Sequence, residues 1–217
     1  MHSIPMPLRE FNAGAEGERR TLAEELVTEF ASGVAPAKCL DELNLAWTNW
    51  VRERFARTCP PDCQSVPDGT GCSKEFLVDF IWEERNDGKR LILACESEWA
   101  ADRFGKHTHW KLVEEDFEKL LVIKAPFKVL IFSSNSKNQD DTADVDFSIG
   151  RALKSLTRSL ENYWHHLPGE TYILLDFPAT GDPSSSGVFK SYIRIADRNG
   201  KQTVSFVERV GGELNRS

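Results

Sequence analysis

The sequence predicts an α/β fold, and three observations carry that expectation. Apolar residues recur at helical spacing in several segments, short continuous apolar runs of strand length lie between them, and residues 76–99 read as a two-strand hairpin. Alternation of these patterns is what a sheet covered by helices requires, since each element must bury its apolar side against another. At 217 residues, with 40% hydrophobic residues and six Trp, the chain suits a single domain with a substantial core.

Taken in order, Leu22, Leu26 and Phe30 set a peripheral helix over 18–31, closed by Ser32 and Gly33. A second helix over 41–57 turns Leu43, Trp47, Trp50, Val51 and Phe55 toward a core and Arg52, Arg54 and Arg57 mostly away from it, with Glu53 flanking the stripe. Residues 58–73 carry Pro, Gly, Cys and Asp without periodicity and read as a loop. After the hairpin, Trp110, Val113, Phe117, Leu120 and Leu121 define a helix over 110–123, and Lys124 projects onto the same stripe at its C-terminal end. A cation there complements the helix macrodipole, and a long stem can also reach carboxylates beneath the helix. His107 and His109 form an H-x-H pair, better read as solvated than as metal ligands without a third ligand nearby.

The run 127–132, with KVLIF at its heart, is apolar enough for a buried strand and is entered through Ala125 and Pro126. A polar loop follows. Ile149, Leu153, Leu156, Leu160, Tyr163 and Trp164 then mark a helix over 145–166, ended near Pro168 and Gly169, with Arg151, Lys154 and Arg158 on another face as a basic stripe. YILLDF over 172–177 is a further buried strand. Asn199 and Gly200 signal a second hairpin, in which a two-residue turn sets Ile193 opposite Phe206 and Ile195 opposite Val204.

The first hairpin holds the residues that need explaining. Asp87 and Gly88 suit a tight turn, because such a loop needs positive φ and Gly supplies it without steric cost. With that turn, Asp79 falls directly opposite Glu96, and Leu77, Asp79, Ile81, Ile92, Ala94, Glu96 and Glu98 share one face. Opposed Cβ atoms lie roughly 5 Å apart, and two ionised carboxylates at that spacing repel by ~3 kcal/mol at an effective dielectric near 20. A divalent cation such as Mg²⁺ is the natural compensation, since it takes hard oxygen ligands. A register slipped by one residue, as from a three-residue loop with a bulge, would instead turn the acids elsewhere or let them reach solvent at a strand end.

Composition narrows the classes. Net charge is −7, with the acidic excess in the first 102 residues and near balance after them, which argues against indiscriminate nucleic-acid binding but leaves room for a local basic groove. No leader-like start and no membrane-length apolar run is present, so the expectation is a soluble, cytoplasmic protein without a membrane partner. Five Cys, an odd number, argue against a disulfide framework. Cys59, Cys63 and Cys72 cluster, but a structural zinc site wants four ligands, so reduced thiols in a loop are the simpler expectation.

The order helix, acid-bearing strand, E-x-E strand, helix, strand over residues 41–132 resembles the PD-(D/E)XK nuclease superfamily, the restriction-endonuclease-like fold. The resemblance implies a three-layer fold: a central mixed sheet flanked by helices, with residues 1–40 as a helical extension, 41–177 as the nuclease-like core and 178–217 as a C-terminal hairpin and tail. In that family an Asp on one strand and a (D/E)-x-K pair on the next bind Mg²⁺ and place a water. Asp79 matches the first, and Glu96-Ser97-Glu98 the second, with Glu98 where Lys is usual. Some members carry Glu there and remain nucleases; in others the Lys lies on the following helix, for which Lys124 or Lys119 is the candidate.

The resemblance therefore implies hydrolysis of a DNA backbone, with RNA the less favoured substrate. Asp79, Glu96 and the Ser97 backbone carbonyl would hold Mg²⁺, with Mn²⁺ able to substitute. Glu98 would orient or deprotonate the water, Lys124 would complete the catalytic set, and Arg151, Lys154 and Arg158 would contact phosphates. A homodimer is compatible with this reading. The rival expectation is an inactive nuclease-fold module that binds protein or nucleic acid. A sugar hydrolase built on a carboxylate pair ranks last, because no aromatic platform separates from the core Trp residues.

Overall fold

The apolar runs and helical stripes assemble into one mixed sheet with helices on both faces. The computed structural model describes residues 23–24, 26–27, 45–66, 77–85, 90–98, 109–132, 145–167, 169–176, 190–196, 202–210 and 213–215. In chain order these form α1 (Leu45–Thr58), β1 (Cys63–Val66), β2 (Phe80–Glu84), β3 (Leu91–Glu98), α2 (His109–Val122), β4 (Phe127–Phe132), α3 (Val145–Asn162), β5 (Thr171–Asp176), β6 (Lys190–Ala196), β7 (Gln202–Val210) and β8 (Glu213–Asn215). Strand order follows chain order from β1 to β8. The β1, β2 and β3 ladders are antiparallel, β3, β4 and β5 run parallel, and β5 to β8 are antiparallel again.

The parallel trio sits in the middle because its residues are apolar on both faces. All six residues of β4 are buried, and Thr171 to Leu175 of β5 are buried as well. On one face Val113, Phe117, Leu120 and Leu121 of α2 and Leu156 and Leu160 of α3 lie against Ile81, Ala94, Leu130, Phe132, Tyr172 and Leu174. On the other, Phe55 of α1 meets the rings of Phe80 and Trp82, and Trp82 Nε1 donates to the Phe55 carbonyl at 3.1 Å. Strand alternation thus sends even and odd positions to different helices.

The β2–β3 register is the one that matters for the acids. Phe80 faces Cys95, Ile81 faces Ala94 and Trp82 faces Leu93, which is the expected register. A bulge between Trp82 and Glu83 then shifts the pairing, so that Glu83 faces Leu91 and the Glu84 N–H donates to the Arg90 carbonyl at 2.9 Å. The irregularity falls on the turn side of the hairpin; at the other end the ladder stops at Phe80 and Cys95, so the expected pairing of Asp79 with Glu96 lies outside it. Asp87 and Gly88 themselves lie outside the described residues.

Several expectations need correction. Residues 63–66, read as loop, form β1, because a four-residue edge strand with Gln64 and Ser65 shows no periodicity of its own and is ordered by pairing with β2. In the second hairpin Ile193 stands opposite Ser205 and Ile195 opposite Thr203, one residue from the expected register. Ala196 pairs with Gln202, so an odd-length connection over 197–201 replaces the two-residue turn. The helix expected over 145–166 ends at Asn162. Of the helix expected over 18–31, Ala23, Leu26 and Val27 are described and buried, while Leu22 and Phe30 lie outside the described residues.

Candidate functional site

Glu96 shares the α2 face of the sheet with Ala94, and Asp79, ahead of β2, is brought beside the E-x-E segment through Ser97. Asp79 stands one residue ahead of β2 and is exposed, whereas Glu96, inside β3, is 2% exposed. Both the Ser97 N–H and the Ser97 hydroxyl donate to Asp79 Oδ2, at 2.9 and 3.0 Å. This double contact ties the end of β2 to β3 diagonally and fixes the Asp79 carboxylate beside the E-x-E segment. Glu98 ends β3 opposite Phe132 and is half-buried.

A lysine from the next helix completes the group. Lys119 Nζ lies 3.1 Å from Glu96 Oε1 and 2.6 Å from Asp116 Oδ1. Among the described residues, Glu96 Oε1 has no well-directed hydrogen bond, so the Lys119 contact is electrostatic rather than a directed donor. Burial pushes the Glu96 carboxyl up to about 8, with Asp79 and Asp116 adding to the rise and Lys119 opposing it. Burial alone would lower Lys119, but its hydrogen bond to Asp116 and the charge of Glu96 hold it above the ordinary lysine value.

Lys124 was the other helix lysine expected to reach the carboxylates, and the structure places it elsewhere. The helix stops at Val122, ahead of Ala125 and Pro126, because the residue before a proline is pushed out of helical geometry. Lys124 therefore leaves the apolar stripe; its Nζ donates to the His165 carbonyl at 2.9 Å and stands 5.6 Å from the Tyr163 ring centroid. Lys119 takes the position on Glu96. Its signal was the i,i+3 pairing with Asp116, which marks a helix flank adjacent to the apolar stripe rather than on it.

The basic stripe is on α3, where Lys154 and Arg158 are exposed and the Arg151 side chain lies outside what is described. Ser155 of α3 hydrogen-bonds Glu114 of α2, on the flank of α2 turned away from Asp116 and Lys119. Helix α2 thus stands between the stripe and the carboxylates. Glu53 pairs with Arg57 at 3.3 Å on the exposed side of α1 and plays no part at the site. Cys59 and Cys63 are free thiols, both pushed up to about 12, chiefly by burial; Cys72 and His107 lie outside the described residues, as does the side chain of His109.

A second charged cluster, reaching the last turn of α2 through the Leu121 carbonyl, was not anticipated. Lys128 is fully buried on β4; its Nζ donates to Glu170 Oε2 at 2.9 Å, Tyr172 Oη at 2.9 Å and the Leu121 carbonyl at 3.3 Å. Tyr172 donates to the same Glu170 oxygen at 3.0 Å, and the His166 ring bridges Tyr172 Oη and the Leu160 carbonyl. Burial lowers Lys128 to about 8 against the pull of Glu170, while the hydrogen bond from His166 and the Lys128 charge hold Glu170 below its usual value in spite of burial. The cluster links α2, α3, β4 and β5. Gly169, with φ of 86°, supplies the left-handed turn that brings Glu170 into it.

No protein-family model, curated protein or solved structure matches this chain. Among the described residues, no group of three or more His, Cys, Asp or Glu side chains is gathered closely enough to hold a metal ion, and no helix is long and apolar enough to cross a membrane.

Proposed function

We propose that the chain hydrolyses phosphodiester bonds of DNA in a metal-dependent reaction, on a restriction-endonuclease-like scaffold. One observation carries the reading: Ser97, next to Glu96 in sequence, holds the Asp79 carboxylate, and the Lys119 ammonium of the following helix lies 3.1 Å from Glu96. The order α1, β2, β3, α2, β4 supports it, being the order on which the family resemblance rests.

The donor chemistry fits Mg²⁺. Two carboxylates are enough, because this ion keeps several waters and takes one or two protein carboxylates. Glu96 Oε1 is a hard, buried oxygen without a well-directed hydrogen bond, and Ser97, whose carbonyl would be the third donor, is tied to Asp79. Bound there, Mg²⁺ would supply Lewis acidity and a water of lowered pKa. The protein's own share is positional: Lys119 places a positive charge where the phosphoryl oxygens gain negative charge, and Glu98, farther along the same face, orients the attacking water.

Incubation with labelled single- and double-stranded DNA and Mg²⁺ or Mn²⁺ tests this. Cleavage by the wild type, lost in Glu96→Ala and reduced in Lys119→Ala, is the expected result; cleavage indifferent to Glu96→Ala would refute it. A second reading, an inactive module of the same scaffold, draws on the fact that Asp79 and Glu96 already have Ser97 and Lys119 as protein partners. Calorimetric titration with Mg²⁺ or Mn²⁺ separates the two, because binding that Asp79→Ala abolishes is incompatible with an inert charge cluster.

A further inference from the structure

We propose that Asp116 is the positioning residue for Lys119, an inference that rests on the nuclease reading for its functional consequence but not for its geometry. Lys119 is 42% exposed on a long, freely rotating stem, and nothing in the stem itself would keep its ammonium over the carboxylates. Two contacts do so, and the one to Asp116 is the shorter, 2.6 Å against 3.1 Å to Glu96. Asp116 is also well placed to act as a fixed anchor. It lies one helical turn ahead of Lys119 in α2, on the same flank, and its side chain is only 15% exposed.

The two carboxylates divide the work. Glu96 lies on the sheet and would be called on by a metal, whereas Asp116 belongs to the helix and pairs with Lys119. Lys119 retained on Asp116 would stay beside the reacting phosphate when Glu96 engages another cation. Without Asp116, the ammonium would have only Glu96 to hold it and would otherwise turn to solvent. Asp116 touches neither substrate nor metal in this scheme and acts only through Lys119.

Lysine-selective ¹⁵N NMR of the full chain reads this directly, with Lys119→Arg assigning the Nζ signal and thermal melts confirming that each variant folds. The wild type should show Lys119 as an ordered, slowly exchanging ammonium; Asp116→Asn should speed that exchange about tenfold, in line with loss of a charge-assisted hydrogen bond, and Asp116→Glu should restore it. An unchanged Lys119 signal in both Asp116→Asn and Asp116→Ala overturns the proposal. In the DNA assay, Asp116→Asn should lower kcat with KM unchanged, and unaltered cleavage alongside a released Lys119 also overturns it. Absence of cleavage in the wild type would refute the nuclease reading alone, leaving the Nζ signal to decide the role of Asp116.

Discussion

Removing one member of the Lys128–Glu170 pair should be among the most damaging single changes available to this fold. Lys128 is fully buried and Glu170 is 2% exposed, so Lys128→Met leaves a carboxylate in the core with only Tyr172 and His166 facing it, and it deprives the Leu121 carbonyl of its donor. The lost charge-assisted bond is worth about 1.5–3 kcal/mol and the orphaned groups add comparable amounts, giving a cost of about 3–5 kcal/mol. That is a large part of the ~5–15 kcal/mol that holds a domain together. Glu170→Gln should cost a similar amount by stranding the ammonium. The double variant Lys128→Met/Glu170→Gln, with no buried charge left, should cost less than the two singles together by more than ~1 kcal/mol.

Urea unfolding monitored by Trp fluorescence measures all four proteins, and pH sharpens the result. Glu170 is held below its unfolded value of 4.5, so its contribution is present above that pH and is lost as pH falls through the folded value. In Lys128→Met the same carboxyl has lost its cation, and acid should relieve the stranded charge. Wild type should therefore weaken toward pH 4 while the deficit of Lys128→Met shrinks. Lys128 itself is held near 8 against 10.5 unfolded, so between those values the unfolded chain binds more protons and this group makes stability rise with pH. Single variants costing under ~1 kcal/mol each, or strictly additive costs, would refute the account of the cluster as one coupled unit.

Three further outcomes follow from the geometry. Phe55→Ala removes a fully buried ring that touches Phe80 and Trp82, and should cost about 3–5 kcal/mol in the same urea assay. Cys59 and Cys63, with thiols pushed up to about 12, should react with iodoacetamide at pH 8 at least about tenfold more slowly than a model cysteine peptide, read by peptide mass spectrometry. Trp164 is 90% exposed, so Trp164→Ala should change stability by less than ~0.5 kcal/mol and remove the most red-shifted part of the fluorescence emission.

Much of the central sheet was legible in the sequence because its middle strands are buried on both faces. A continuous run such as KVLIF has few alternatives, and the observed β4 has the expected bounds. The β2–β3 register was legible for a different reason: alternate positions carry Ile81, Ala94 and Glu96, and a slip by one would have turned Glu96 toward Phe55. β1 was not legible, since four residues with two polar ones take their shape from a neighbour. The second hairpin misled because the Asn199-Gly200 signal assigned an even-length turn that the pairing does not have. Lys128 was overlooked inside an apolar run, although a lysine in a strand buried on both faces must find an anion, and Glu170 stands immediately ahead of the neighbouring parallel strand.

The two charged clusters share one sheet face and one helix, and their differences bear on what each does. Around Lys128 every charged atom but Glu170 Oε1 has a partner, the side chains of Lys128, Glu170 and His166 are at most 3% exposed, and four elements are tied together. Such a knot resists exchange with solvent and suits a structural role. Around Glu96 the balance is reversed: Lys119 is 42% exposed, Asp79 is exposed, and two carboxylates, Glu96 and Asp116, share one ammonium. A cluster that is short of positive charge and open on one side gains from an added cation, whereas a closed one loses from it. On the proposed reading, the acid-rich end of β3, and not the Lys128 network, is the place that an added divalent cation would stabilise.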